Sequence, residues 1–415
     1  MTHMKKLSIL ASLMLGALLF TACEADRDSN PVLNLNQVQT PIHLNTPTFA
    51  SGTYDFDNTE VIDMTCTAPA YGFPATVTYA VQLSIDADMT RPNTLTTTFS
   101  SNRMNVTGKE LAIATTKQLM DKRGMKQDDF PQTVPVYLRI FAYLEGVPGS
   151  ETYSNIVKLN EVKTKFALPD VVVPEHFYVN GNFTDNDWEK AVPSTPVNTA
   201  VETHWRICWV DADGVMTSNT KAAPNYADDY IDVSYGVKTP GFTVDAMGKV
   251  MTSTPEKAGW YLMLMDCTVD NDKRTMHIDY SFETFDVWLI GTSIINPEAV
   301  SSDPAVANGI TSDNCWKEDV LRNYFAPYVK FTPATEMKGD NAYFVSPPLT
   351  SPVDGDGGTR AYIKVRNYEW WKSEFFVFNK EIVYRGNGGD QERVNGAVGQ
   401  KVYLRFSDDT GELKM

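Results

Sequence analysis

AGWYLMLMDCTVDNDKRTMHI, residues 258–278, opens on a glycine, continues as an aromatic-rich apolar run, breaks at a polar turn and closes on a short second run. That order is a β-hairpin, and VGQKVYLRFSDDTGELKM (398–415) repeats it at the end of the chain. Two more pairs recur in the same sequence. Tyr178-Val179-Asn180-Gly181 can be laid against Trp288-Leu289-Ile290-Gly291, and DDYIDVSYG (228–236) against KEIVYRGNGG (380–389). Recurrence of strand, glycine turn and terminal hairpin predicts two related β-sandwich domains, 168–283 and 285–415. The second copy carries an extra Pro- and Gly-rich segment, 296–358.

Upstream, TYAVQLSI (78–85) and VPVYLRIFAYL (134–144) alternate apolar and polar positions, as strands with one buried face do. Between them KELAIATTKQLMDKRG (109–124) has apolar spacing near three and four and predicts one helix. About seven short strands with regular turns predict an immunoglobulin-like sandwich over 46–165. The two prolines of KTKFALPDVVVPEHF place a boundary near Pro169. The fold class expected is all-β, three tandem β-sandwich domains, the 42% hydrophobic and 11% aromatic content being enough for packed cores.

The beginning of the chain reads differently. Residues 5–23, KKLSILASLMLGALLFTAC, join a basic start to an apolar run too short for a spanning helix, which is the layout of a signal peptide over 1–22. A cysteine directly after Phe20-Thr21-Ala22 resembles the lipobox of bacterial lipoproteins, so Cys23 is the expected lipidation site, and several acyl chains anchor far more firmly than one. Residues 23–45, polar and Asn-rich, read as a flexible tether. Glu24, Asp26 and Asp28 fit either a surface-export signal or solvated linker charge.

A net charge of −16 argues against a nucleic-acid partner, which would need a basic footprint. The chain carries no GxSxG elbow, HExxH or phosphate-cradling glycine loop. Cys66, Cys208, Cys267 and Cys315 match no zinc spacing and read as structural. DADG (211–214) and DGDGG (354–358) fail as calcium loops, because the twelfth position of each is Ala222 or Val365 in place of a bidentate Glu. No catalytic residue, metal or cofactor is expected. Glycoside hydrolysis would need two facing carboxylates, and none of the 52 Asp and Glu stands in a recognisable context.

Sugar binding asks for exposed flat rings beside hydrogen-bonding side chains, and that inventory is present. In RAYIKVRNYEWW (360–371), Ile363 and Val365 toward the core would turn Tyr362, Lys364, Arg366 and Tyr368 outward, with Trp370 or Trp371 exposed beyond them. Trp188, in the polar loop NFTDNDWEKA, and Trp316, in DNCWKEDV, complete the main candidates. Trp205 and Trp209 alternate with polar residues in HWRICWV and are weaker ones, better explained as core.

The order of these parts resembles the SusE and SusF family of outer-membrane lipoproteins from starch-utilisation-type systems. The resemblance rests on PVLNLNQVQTPIHL followed by TYAVQLSID, on YVNGNF with Trp188, on WLIG, and on the hairpin strands after Gly259 and Gly399. It implies carbohydrate-binding modules in the second and third domains and an exterior, lipid-anchored, non-catalytic glycan-binding protein. It also implies partnership with a TonB-dependent transporter in a SusC/SusD-like complex. Trp188 follows the glycine turn as the family's pattern has it, whereas no Trp follows Gly291 at that spacing. The residues alone leave two rivals open: an adhesin or structural lipoprotein, and a cryptic hydrolase.

Overall fold

In a computed structural model, residues 41–415 are described apart from 73, 229, 253–256, 298–301, 352–357 and 394–395. Cys23, the signal segment and most of the tether lie outside the described residues, as do Asp354 and Asp356. The chain divides into two compact units, 1–169 and 170–415.

The first unit is built on one sheet in the spatial order Thr53–Asp55, Val157–Thr164, Gln132–Tyr143, Thr78–Ser84 and Asn93–Phe99, with Val61–Thr65 and Arg103–Thr107 paired separately. Along Gln132–Tyr143 the even positions from Val134 to Ala142 are buried and the odd ones are not, so alternation does decide which face is core. Among the described residues of this unit the one long helix runs from Gly108 to Arg123. Thr107 caps it by accepting from Glu110 N, and Gly124 ends it at a left-handed φ of 64°. Residues 41–45 depart from the expected tether. Ile42 and Leu44 are buried in the core, and Leu44 pairs with Cys66, because a buried edge satisfies backbone groups that a free stem would leave to water.

The described residues of the second unit form three sheets. An outer sheet centres on Tyr178–Gly181 and Val215–Ser218, and a central sheet on Ala200–Val210, Gly259–Asp270 and Thr275–Glu283. A C-terminal sheet runs from Val287–Ile290 through Arg360–Ile363, Glu374–Phe378, Glu381–Tyr384, Thr410–Lys414 and Lys401–Arg405 to Phe344–Val345. Trp288 bridges to Lys330 and Thr332 to Val345, so the segment 330–332 joins the two edges of that sheet.

The central sheet is buried on both faces. Met263, Met265, Cys267 and Cys208 pack with Phe177, Val179 and Val250 of the outer sheet. Leu262, Leu264, Trp205 and Ile207 pack into one cluster with Leu289, Tyr362, Phe375 and Phe406 of the C-terminal sheet. The line expected at residue 284 therefore runs through a shared core. The segment 296–358 is part of that core too, contributing Ile310, Leu321, Phe325, Phe331 and Phe344. The four described cysteines are buried free thiols.

Candidate glycan-binding cleft

Strand Arg360–Ile363 is four residues long and buried at every position, which corrects the outward-facing reading of its neighbourhood. Tyr362 is fully buried, because the short helix Glu318–Tyr324 and its flanks cover the face that alternation would leave to water. Burial raises its hydroxyl pKa first, and the nearby Glu318 charge adds to the rise. Arg366 is spent on the joint within the unit. Its guanidinium donates to Asp266 at 2.8 and 3.1 Å, to Glu283 at 3.4 Å and to Ser281 at 3.1 Å. Tyr368 reaches Thr203 at 3.4 Å.

Trp370 and Trp371 stand on a short 3-10 turn, Trp370–Ser373, in place of the strand expected there. Both are half-buried. Trp371 has the Lys372 ammonium 5.4 Å and the Arg385 guanidinium 4.7 Å from its ring centre. Trp205 is 1% exposed and packs on Tyr384 and Phe375 as a core ring, whereas Trp209 is half-buried and meets Trp260 edge to face. Trp188 is half-exposed on its own turn, Trp188–Lys190.

Three predicted residues do meet. Trp316, Lys364 and Trp370 line one open cleft of about 850 Å³, together with Trp288, Glu318 and Arg322. Trp316 and Trp370 are half-buried, so each keeps ring surface in contact with water. Trp316 sits beside the glycine turn: Gly291 N donates to Cys315 O at 3.0 Å, and Gly291 has a φ of 108°. A Cβ at Gly291 would fall 2.1 Å from the Gly358 carbonyl and 3.1 Å from Trp316 Cη2, so only glycine fits there. The Arg393 guanidinium lies 4.8 Å from the Trp316 ring centre.

Glu318 organises the polar side of the cleft. It accepts from Arg322 at 2.9 Å, one helical turn on, and from Lys364 at 3.3 Å on the facing segment. Arg322 and Lys330 in turn lie 5.3 and 5.7 Å from the Trp288 ring centre, and Lys330 pairs with Asp286 at 2.8 Å. Glu318, Arg322 and Asn323 escaped the sequence reading, although the i,i+4 charge pair directly after Trp316 was a usable signal. The arrangement can stack a pyranose face on a ring and offer its hydroxyls fixed donors and acceptors.

Comparison with known proteins places this geometry in a context. Residues 27–139 match the family described as SusE outer membrane protein, and residues 323–412 match SusF/SusE starch specific CBMs. The outer membrane protein SusF of Bacteroides thetaiotaomicron is 29% identical over 266 residues, 60% of this chain and 45% of that protein. The chain thus spans about half the length of that curated relative. The crystal structure of SusF from Bacteroides thetaiotaomicron aligns at 17% identity and a TM-score of 0.37, covering 90% of this chain and 100% of that one. Lys364 and Trp370 fall inside the starch-specific match, and Trp316 and Glu318 lie just before it. With its N-terminal part matched to SusE and its last hairpins to the SusF/SusE modules, the chain is SusE/SusF-like.

Proposed function

We propose that this chain is a non-catalytic glycan-binding protein of the outer membrane, held by an acylated Cys23 and facing the exterior. It delivers a starch-like polysaccharide to a TonB-dependent transporter complex of SusC/SusD type. The observation that carries the reading is the meeting of Trp316 and Trp370 in one open cleft with Lys364 and Arg322. Of the three described carboxylates lining the cleft, Glu318 is committed to two cations and Asp286 to Lys330, which leaves Asp319 where hydrolysis would need a facing pair, and this supports binding over hydrolysis. The matches to starch-specific modules and to SusF support the substrate class.

Calorimetry with maltoheptaose and soluble starch tests the binding. Trp316→Ala and Trp370→Ala should each weaken it about tenfold, as loss of one stacking ring does. No heat with either glycan, or release of reducing sugar from starch, overturns the reading. Incorporation of labelled fatty acid that Cys23→Ala abolishes tests the anchor.

A further inference from the structure

In the first unit the chain leaves a strand edge open. Residues 43–45 run antiparallel along the end of Val61–Thr65, with Asn45 N donating to Thr65 O at 2.9 Å and Thr67 N to His43 O at 3.0 Å. Two residues further along, Pro47 would face Asp63, but proline has no N–H to give and the chain turns away through 47–50. On its other side Val61–Thr65 bonds to Arg103–Thr107 through its even positions, since Gly108 N donates to Glu60 O and Cys66 N to Asn102 O. The N–H and C=O groups of Val61 and Asp63 therefore point to the open edge. Among the described residues nothing is hydrogen-bonded to them there.

Thr53–Asp55 is the edge strand of the main sheet, paired on one side by Val157–Thr164. The two edges line one groove of about 390 Å³, with the buried Ile62 in its wall. We infer that this groove takes an extended, cationic segment of a partner protein, which adds to the open edge as a strand. The inference concerns the first unit alone and does not rest on the glycan reading.

Phe49 lines the groove, 75% exposed and at a φ of 64°, a region that a bulky side chain occupies only at a cost. Its turn is pinned by Tyr54 Oη, which donates to the Thr48 carbonyl, and by Gly52 N, which donates to Phe49 O at 2.8 Å. With the exposed Val61 it supplies the apolar contact that selects the alternate side chains of an added strand. Charge selects the partner's sign. Asp55 and Asp63 line the groove, and no lysine or arginine does. Asp55 is shared with Lys163 at 3.4 Å, whereas Asp63 is exposed and among the described residues forms no ion pair. A lysine or arginine of the incoming strand completes Asp63, and a carboxylate there is repelled.

The test uses the full-length protein in detergent at physiological salt, with a fluorescent decapeptide alternating valine and lysine as probe. Anisotropy should show saturable binding of this peptide and none of its valine–glutamate counterpart. The valine–lysine peptide N-methylated at alternate residues keeps the charge but loses the ladder, and should not bind. Val61→Pro removes an N–H from the open edge and spares the ladder to Arg103–Thr107, so it should weaken binding about tenfold. Phe49→Gly removes the ring and relieves the left-handed φ, so it should weaken binding about fivefold while the melting temperature holds or rises, however the proline is tolerated. Absence of saturable binding by the valine–lysine peptide, equal binding of its N-methylated form, or binding that Phe49→Gly and Val61→Pro leave unchanged overturns the inference. A dimer of the unchanged protein that Val61→Pro dissolves also overturns it, by seating a second copy on the edge.

Discussion

Arg206 Nη1 lies 2.8 Å from Asp409 Oδ2, tying the central-sheet strand Ala200–Val210 to the last hairpin of the chain. Tyr384 joins them, donating to Asp409 at 2.6 Å and accepting from Arg206 at 3.2 Å. Arg206 is 1% exposed, and burial pushes the Asp409 carboxyl upward while the guanidinium draws it down. Removing one partner strands a charge in the core. Arg206→Met should therefore cost about 3–5 kcal/mol in urea unfolding, and Arg206→Met/Asp409→Leu should recover much of it. Equal losses for the single and double variants would refute the pairing account.

Among the described residues the buried Tyr362 hydroxyl has no hydrogen-bond partner. Tyr362→Phe should leave stability unchanged or raise it by about 1 kcal/mol, since a buried unpaired hydroxyl carries a desolvation cost. Glycan affinity should not move, because the ring is not part of the cleft surface. A matched pair of denaturation and calorimetry experiments checks both halves.

Glu318 holds Arg322 and Lys364 in fixed positions at the rim of the Trp316/Trp370 cleft. Glu318→Ala should lower maltoheptaose affinity about fivefold by letting both cations wander. The two pairs are partly exposed and contribute little to folding, so the melting temperature should shift by no more than about 2 °C. A large loss of stability with intact affinity would show the residue to be a packing element alone.

His204 is 1% exposed, its ring nitrogen 2.9 Å from Ser194 Oγ. Burial, helped by His176, lowers its pKa from 6.5 to about 4. The unfolded chain therefore binds a proton that the folded chain refuses between those values. The stability tied to the neutral ring is complete above pH 6.5 and is lost as pH falls through about 4. The slope within that window should approach ~1.4 kcal/mol per pH unit. His204→Gln should flatten it, as chemical denaturation between pH 4 and 7 would reveal.

Much of the architecture was legible because its signals are local. The apolar spacing of 109–124 finds the helix Gly108–Arg123 to within a residue at each end, and the alternation of 134–144 marks the buried face of its strand correctly. Alternation failed at 360–371 because it presumes one wet face. There the chain supplies its own cover from 296–358, a segment that looked like an appendage by composition and instead brings Leu321, Phe325 and Phe331 over Tyr362. The Trp316/Trp370 cleft was half visible for the same reason. Its rings stand out by residue type, but Glu318 and Arg322 gain meaning only once helix Glu318–Tyr324 is laid beside Lys364.

The doubly covered sheet also governs how the protein can be dissected. A cut near residue 284 would bare Leu262, Leu264, Trp205 and Ile207 on one fragment and Leu289, Phe375 and Phe406 on the other, giving two sticky halves in place of two modules. Fragments meant to assign sugar affinity to one region should be separated at residues 169 and 170, where the chain's own division lies. Within 170–415, the assignment has to come from single side-chain changes.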